Sequence, residues 1–144
     1  MYDSPTKTFS LPISVEFEDI DSYNIVHNTR IIDYFERARV HFLMETIGLD
    51  LYPEHAGIVL FSLDVRFNQA ARLLDELVAT AVILSMDTYR LEIASRLLRG
   101  QETLARATSG IAFMDTKTGS LIAAPEPYKE KVRPFIKGPE TAIC

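Results

Sequence analysis

The stretch R-I-I-D-Y-F-E-R-A-R-V-H-F-L-M-E-T-I, Arg30 to Ile47, decides the architecture. Its apolar positions Ile31, Ile32, Phe35, Ala38, Phe42 and Leu43 recur at spacings of three and four, the period of one helix face. Asp33 stands in the first turn, where a carboxylate meets the positive end of the helix dipole, and Gly48 supplies a C-terminal stop. At 1.5 Å of rise per residue such a helix is about 27 Å long, comparable with the width of a small sheet. Tyr34, Val40, Met44 and Ile47 widen the apolar stripe beyond a narrow seam. Other elements must therefore wrap around it.

Those elements read as strands. On the N-terminal side Leu11, Ile13, Val15 and Phe17 alternate with Pro12, Ser14 and Glu16, a strand with one buried face. Pro12 cannot donate to a ladder and belongs near the strand start or on an unpaired side. Beyond the helix, Val59, Phe61, Leu63, Val65 and Phe67 alternate with Leu60, Ser62, Asp64 and Arg66. Leu77 to Met86 is β-rich, Asp87 and Thr88 suit a tight turn, and Tyr89 to Leu97 alternates again until Gly100. Thr103 to Met114 places Ala105, Ala107, Ser109, Ile111 and Phe113 on one side, and Asp115 to Gly119 reads as a turn. Pro125 to Phe135 suits a short amphipathic helical turn or two. The order strand, helix, four strands with short connections predicts an α+β fold: an antiparallel sheet of about five strands around one long central helix. One helix covers only part of such a sheet, so the leftover edge and apolar surface predict a homodimer or homotetramer.

Composition sets the outer bounds. A chain of 144 residues fits one domain, 1–144, and 47% hydrophobic with 24% charged residues is a globular balance. Apolar runs fall short of a membrane helix, and MYDSPTK lacks the basic and greasy blocks of a secretory signal, so the expectation is a cytoplasmic protein with no membrane contact. A net charge of -5 opposes nucleic-acid binding over a broad surface. Between Thr88 and Arg106, however, Arg90, Arg96, Arg99 and Arg106 outnumber Glu92 and Glu102. The lone cysteine, Cys144, can form no internal disulfide.

Spacing also removes large enzyme classes. The six glycines are scattered too widely for a G-x-G-x-x-G turn or a P-loop, and neither a G-x-S-x-G elbow nor an H-E-x-x-H motif occurs. His27, His41 and His55 do not have metal-ligand spacing, so no metal is expected; His41 and Glu45 share a helix face as an ion pair would. Asp19 and Asp21 precede the helix. They suit turn-forming or capping, yet a carboxylate beside the free N-H groups of a helix start also suits acyl transfer, which needs a nucleophile or base and donors for an oxyanion.

The segment F-E-D-I-D-S-Y-N-I-V-H-N-T-R-I-I-D-Y-F-E-R-A-R, Phe17 to Arg39, resembles the signature of the 4-hydroxybenzoyl-CoA thioesterase family of hotdog-fold proteins. Leu104-Ala105-Arg106-Ala107 and the D-T-K-T-G turn are similar to that family's last long hairpin, so the likeness covers nearly the whole chain. The resemblance implies a hotdog fold and hydrolysis of an acyl-CoA or acyl-carrier thioester. No cofactor is implied, since coenzyme A is part of the substrate.

Carried over by position, Asp21 matches the catalytic aspartate, acting as nucleophile or as base for water. Asn28 matches the helix-start position whose backbone N-H polarises the carbonyl. One branch of the family has histidine there; this chain has Asn28, with His27 one place earlier as a pocket-wall or surface residue. Asn24 replaces a usual glycine, and asparagine tolerates left-handed backbone. Tyr23, Phe35, Phe61 and Phe67 are implied to set the acyl pocket, and Arg90, Arg96, Arg99 and Arg106 to offer charge to the coenzyme A phosphates. Glu36 and Arg39 are expected to pair within the fold. A 3-hydroxyacyl-thioester dehydratase and a non-catalytic acyl-carrier-binding module are the alternatives.

Overall fold

The computed structural model describes residues 1–49 and 56–137; His55 and Cys144 lie outside them. Among the described residues seven strands form one antiparallel sheet: β1 (Tyr2–Asp3), β2 (Thr8–Ser14), β3 (Ala56–Phe67), β4 (Glu76–Met86), β5 (Arg90–Arg99), β6 (Glu102–Asp115) and β7 (Leu121–Ile122). Their order is β1-β2-β4-β5-β6-β3, with β7 added to β6. Two α-helices accompany them among the described residues, α1 (Asn28–His41), continued by a wider π turn over Phe42–Ile47, and the short α2 (Glu126–Val132). The α+β architecture of a sheet around one long helix is as expected. The two-residue strands β1 and β7 were not.

Packing follows the periodicities. The first half of α1 buries Ile31, Tyr34, Phe35 and Ala38 against Ile13, Leu77, Ala79, Leu97 and Ala105. Its continuation buries Phe42, Leu43 and Ile47 against Ile83, Ile93, Ile111 and Phe113. Phe42 stacks on Phe9 with ring centroids 5.4 Å apart, which ties the helix end to β2. Gly48 takes φ +85°, the left-handed stop predicted for it. Pro12 sits mid-strand opposite Val78, on a stretch of β2 that β1 leaves unpaired.

Two strand expectations need correction. The first strand ends at Ser14, not Phe17, because Asp19 accepts the Glu16 N-H at 2.9 Å and donates its own amide back to the Glu16 carbonyl, closing a helical turn over Phe17–Asp19. Phe17 consequently leaves the sheet and is 79% exposed. In β3 the predicted alternation is broken by a bulge between Leu60 and Ser62. Leu60 opposes Ile111 and Leu63 opposes Ser109, whereas Phe61 and Ser62 both fall opposite Gly110. Phe61 is thereby turned off the helix-facing row. A side chain at Gly110 would overlap Ser62 and sit 2.7 Å from the Phe61 ring, so that position needs glycine for close approach.

Candidate active site

Residues 19–28 form a folded-back loop stitched to the start of α1. Ile20 and Val26 bridge antiparallel, Asp21 N-H donates to Ile25 O at 2.9 Å, and Asn24 N-H donates to Asp21 O at 3.1 Å. Asn24 adopts φ +59°, the left-handed geometry that asparagine tolerates where most residues would be strained. Its side-chain oxygen accepts Leu73 N-H at 2.8 Å, and Val26 N-H donates to Ala71 O at 2.9 Å. The loop is thus clamped onto the connection between β3 and β4.

Asp19 and Asp21, equivalent in the sequence, separate here. Asp19 is 4% exposed and accepts the Tyr34 hydroxyl at 2.8 Å as well as the Glu16 amide, with the Arg30 guanidinium 3.7 Å away. Burial and this carboxylate push the Tyr34 phenol well above its ordinary pKa. Asp19 O also accepts His27 N-H at 3.0 Å, so this residue fastens the loop to the helix. Asp21 is only half-buried. Its Oδ1 accepts the amides of Tyr23 at 2.8 Å and Ile25 at 3.1 Å, the turn-forming contacts of an aspartate, while its Oδ2 has no partner among the described residues.

The α1 N-terminus opens beside this loop. His27 is the N-cap but makes no side-chain capping bond, and its carbonyl takes the amides of Arg30 and Ile31. No acceptor is found among the described residues for the amides of Asn28 and Thr29, the orphan donors a helix start leaves. A carboxylate oxygen and free main-chain donors therefore occupy neighbouring segments, the pairing that acyl transfer requires.

Other predicted site residues are distributed differently. Tyr23 projects from the loop at 79% exposure and His27 is exposed, so both accompany Asp21 and Asn28. Phe35 is buried in the core beneath them. Phe61 and Arg90 lie on the sheet face away from α1, with the guanidinium 5.7 Å from the ring centroid. Arg96 shares that outer face, since its neighbours Ser95 and Leu97 point inward. One chain thus gathers Asp21, Tyr23, His27 and Asn28, and does not bring Phe61, Arg90 or Arg96 to them.

Several charged groups serve the fold. Arg99 binds Asp75 at 2.7 Å and Glu102 at 3.0 Å, contacts that hold its pKa above the ordinary value. Arg39 is buried; its Nη1 donates to Ser109 at 3.5 Å and its Nη2 lies 3.5 Å from Glu36, and desolvation lowers its pKa. His41 and Glu45 form an exposed pair at 2.8 Å. Among the described residues no three His, Cys, Asp or Glu side chains cluster as a metal site would require, and no helix is long and apolar enough to cross a membrane.

Comparison with known proteins bears on the fold and the family. The chain is 28% identical over 125 residues to the acyl-CoA thioesterase YbgC of Haemophilus influenzae, covering 84% of this chain and 91% of that protein. The 1,4-dihydroxy-2-naphthoyl-CoA thioesterase of Synechocystis has the same fold at TM-score 0.79 and 17% identity, over 88% of this chain and 96% of that one. A Thermus thermophilus thioesterase solved with coenzyme A and zinc aligns at TM-score 0.78 and 21% identity, over 88% and 92% of the two chains. The sequence profile of the Thioesterase-like superfamily matches residues 15–134, and the chain belongs to that superfamily.

Proposed function

We propose that this protein is an acyl-CoA thioesterase, hydrolysing the thioester bond with Asp21 as nucleophile or general base and the α1 N-terminal amides as oxyanion donors. The observation that carries the reading is the loop geometry: Asp21 is positioned through Oδ1 alone, which leaves Oδ2 for chemistry, on the loop that leads into the α1 N-terminus, where the Asn28 amide has no acceptor among the described residues. As base, Asp21 removes a proton from water while the water oxygen attacks the carbonyl carbon; the tetrahedral oxygen is held by the amides, and the departing thiolate is then protonated. As nucleophile, its carboxylate displaces the thiolate and water hydrolyses the resulting anhydride. Neither route calls on a cofactor. The relatives named for coenzyme A thioesters support this substrate class, and Asn28 in place of histidine favours a site built from carboxylate and amide.

The reading places the site at a subunit boundary. Among the described residues β3 ends the sheet with a twelve-residue open edge, and Phe67 on its helix-facing row remains 42% exposed, surface that a second copy would cover. A homodimer, or a tetramer built from it, supplies the wall that one chain lacks.

A panel of acyl-CoA esters of varied length and aromaticity, followed by thiol release, tests the proposal. Release is expected for at least one ester. Formation of a double bond in a 3-hydroxyacyl substrate would establish the dehydratase instead, and tight binding without turnover the carrier-binding module. Label on Asp21 after a single turnover in heavy-oxygen water would establish the nucleophilic role, because it enters only when water opens an anhydride at the Asp21 carbonyl carbon and a general base acquires none.

A further inference from the structure

The hydrolytic step uses neither Asp19 nor Tyr34, although both are polar groups held inside the fold. A buried carboxylate is costly unless its oxygens are paired. Here three donors approach from three segments. Asp19 Oδ2 accepts the Tyr34 hydroxyl at 2.8 Å and the Glu16 amide at 2.9 Å, and Oδ1 lies 3.7 Å from Arg30 Nε. The Asp19 carbonyl accepts His27 N-H at 3.0 Å, and the His27 carbonyl in turn takes the amides of Arg30 and Ile31. Asp19 is therefore bonded at once to the N-cap of α1 and to a side chain of its second turn. Tyr34 is a fixed point for that bond, since its ring is fully buried in the core cluster of Ile13, Phe35 and Leu77, with the Arg37 guanidinium 5.6 Å from its centroid. Asp21 stands two positions after Asp19, and Asn28 directly follows His27. The Asp19–His27 bond thus joins the segment that carries the proposed catalytic carboxylate to the segment that carries the helix-start amides.

We propose that Asp19 and Tyr34 are positioning residues for thioester hydrolysis, their buried hydrogen bond fixing the loop that bears Asp21 against the α1 N-terminus so that carboxylate and oxyanion donors stand in one register. The inference rests on the proposed function. Burial keeps both side chains from the substrate, so they act through Asp21 and the amides. The loop has internal ties of its own, the Ile20–Val26 bridge and the Asp21 N-H bond to Ile25 O, and it is clamped to the β3–β4 connection through Asn24 and Val26. Removing the Tyr34 hydroxyl leaves all of these in place. What it loosens is the tie between loop and helix, so the loop shifts as a unit and does not unfold. Arg30 is no substitute, because it faces the other carboxylate oxygen, is partly exposed and also lies 3.9 Å from Asp33. Reacting groups displaced by about 1 Å lose up to about 100-fold in rate.

Steady-state hydrolysis by the full chain of the ester it turns over best, at a temperature where circular dichroism shows every variant folded, tests the inference. Tyr34→Phe keeps the ring and loses the hydroxyl; its kcat should fall about 10–100-fold while KM stays within about threefold of the wild type. Asp19→Asn keeps an oxygen for the Tyr34 hydroxyl and the Glu16 amide, and Arg30 can turn to Asp33, so its kcat should stay within about fivefold. Asp19→Ala loses that oxygen and should fall at least as far as Tyr34→Phe. Ile93→Val, in the half of the core at the other end of the helix, lowers stability without touching the loop and should keep the wild-type kcat and KM. Amide exchange supplies a readout free of substrate: the His27 amide should exchange about tenfold faster in Tyr34→Phe and at the wild-type rate in Ile93→Val. Should Asp19→Ala fail to fold, Tyr34→Phe decides, because phenylalanine fills the same space. Wild-type kcat in Tyr34→Phe, an equal loss of kcat in Ile93→Val, or an Asp19→Asn as inactive as Asp21→Asn overturns the inference and leaves thioester hydrolysis standing. A wild type that releases no thiol from any ester refutes the proposed function and removes this inference with it.

Discussion

Asp21 forms a turn in this structure and is the proposed catalytic carboxylate, and paired substitutions separate the two roles. Its Oδ1 accepts the Tyr23 and Ile25 amides at 2.8 and 3.1 Å. Asparagine keeps that oxygen and loses the charge; alanine loses both. Each hydrogen bond contributes about 0.5–1.5 kcal/mol, so Asp21→Ala would cost up to about 3 kcal/mol. The main-chain bonds between Asp21, Asn24 and Ile25 persist, which favours about 1–2 kcal/mol. For a chain of this size that lowers Tm by about 3–8 °C. Asp21→Asn should stay within about 2 °C of wild type. Thiol release at saturating acyl-CoA should nevertheless fall about 10²–10⁴-fold in both variants, a barrier increase of about 3–5 kcal/mol. The two variants would thus differ in stability and agree in activity. Asp21→Asn turning over within threefold of the wild type, with only Asp21→Ala impaired, would make Asp21 a turn former and refute the catalytic assignment.

Tyr34→Phe removes the buried phenol that donates to Asp19 and should cost about 1.5–3 kcal/mol in chemical denaturation; a loss below 0.5 kcal/mol would contradict the role given to that bond. The same substitution has a pH signature. The Tyr34 phenol is raised in the folded state, so its stabilisation is complete below the unfolded pKa of about 10 and is lost as pH rises above it. Wild-type stability should fall more steeply above pH 10 than that of Tyr34→Phe. Arg99→Gln breaks partly exposed ion pairs with Asp75 and Glu102, so a stability loss of at most about 1 kcal/mol is expected. Its KM for acyl-CoA should match the wild type's, and a severalfold rise would return Arg99 to the phosphate-binding set. Gly110→Ala forces the Phe61 ring and Ser62 aside and should cost about 1–3 kcal/mol, read by thermal melting.

Legibility of the fold tracked how local each signal is. The α1 stripe was readable because its i, i+3, i+4 pattern reports a single helix packed on one face, and the rows of β5 and β6 because Leu91, Ile93, Ser95 and Leu97 alternate as the pleat does. Phe61 defeated the same reasoning. One residue inserted between Leu60 and Ser62 shifts the phase of the strand, and the alternation Val59, Phe61, Leu63 looks unbroken in the sequence although Phe61 has left the row. Phe17 failed for a related reason: it keeps phase with Val15, but the Asp19 carboxylate captures the Glu16 amide and bends the chain off the sheet. β1 and β7, at two residues each, are too short to show any period.

The site divides along the same line. Asp21, Asn24, His27 and Asn28 lie within eight consecutive positions, so their arrangement is set by turn chemistry and a helix start that sequence spacing can express. Which of Asp19 and Asp21 is the structural carboxylate was not readable, since that depends on Tyr34 reaching back to one and not the other. The arginines required still more. Arg90, Arg96, Arg99 and Arg106 look alike in a basic stretch, yet Asp75 and Glu102 claim Arg99, and Arg90 lies near Phe61 and 3.6 Å from Asp87. Arg66, forty residues upstream of Arg106 in the chain, joins Arg96 and Arg106 only through strand register. Register is the sum of every hairpin and bulge between two strands, so the charged row emerges from the folded sheet and from no window of the sequence.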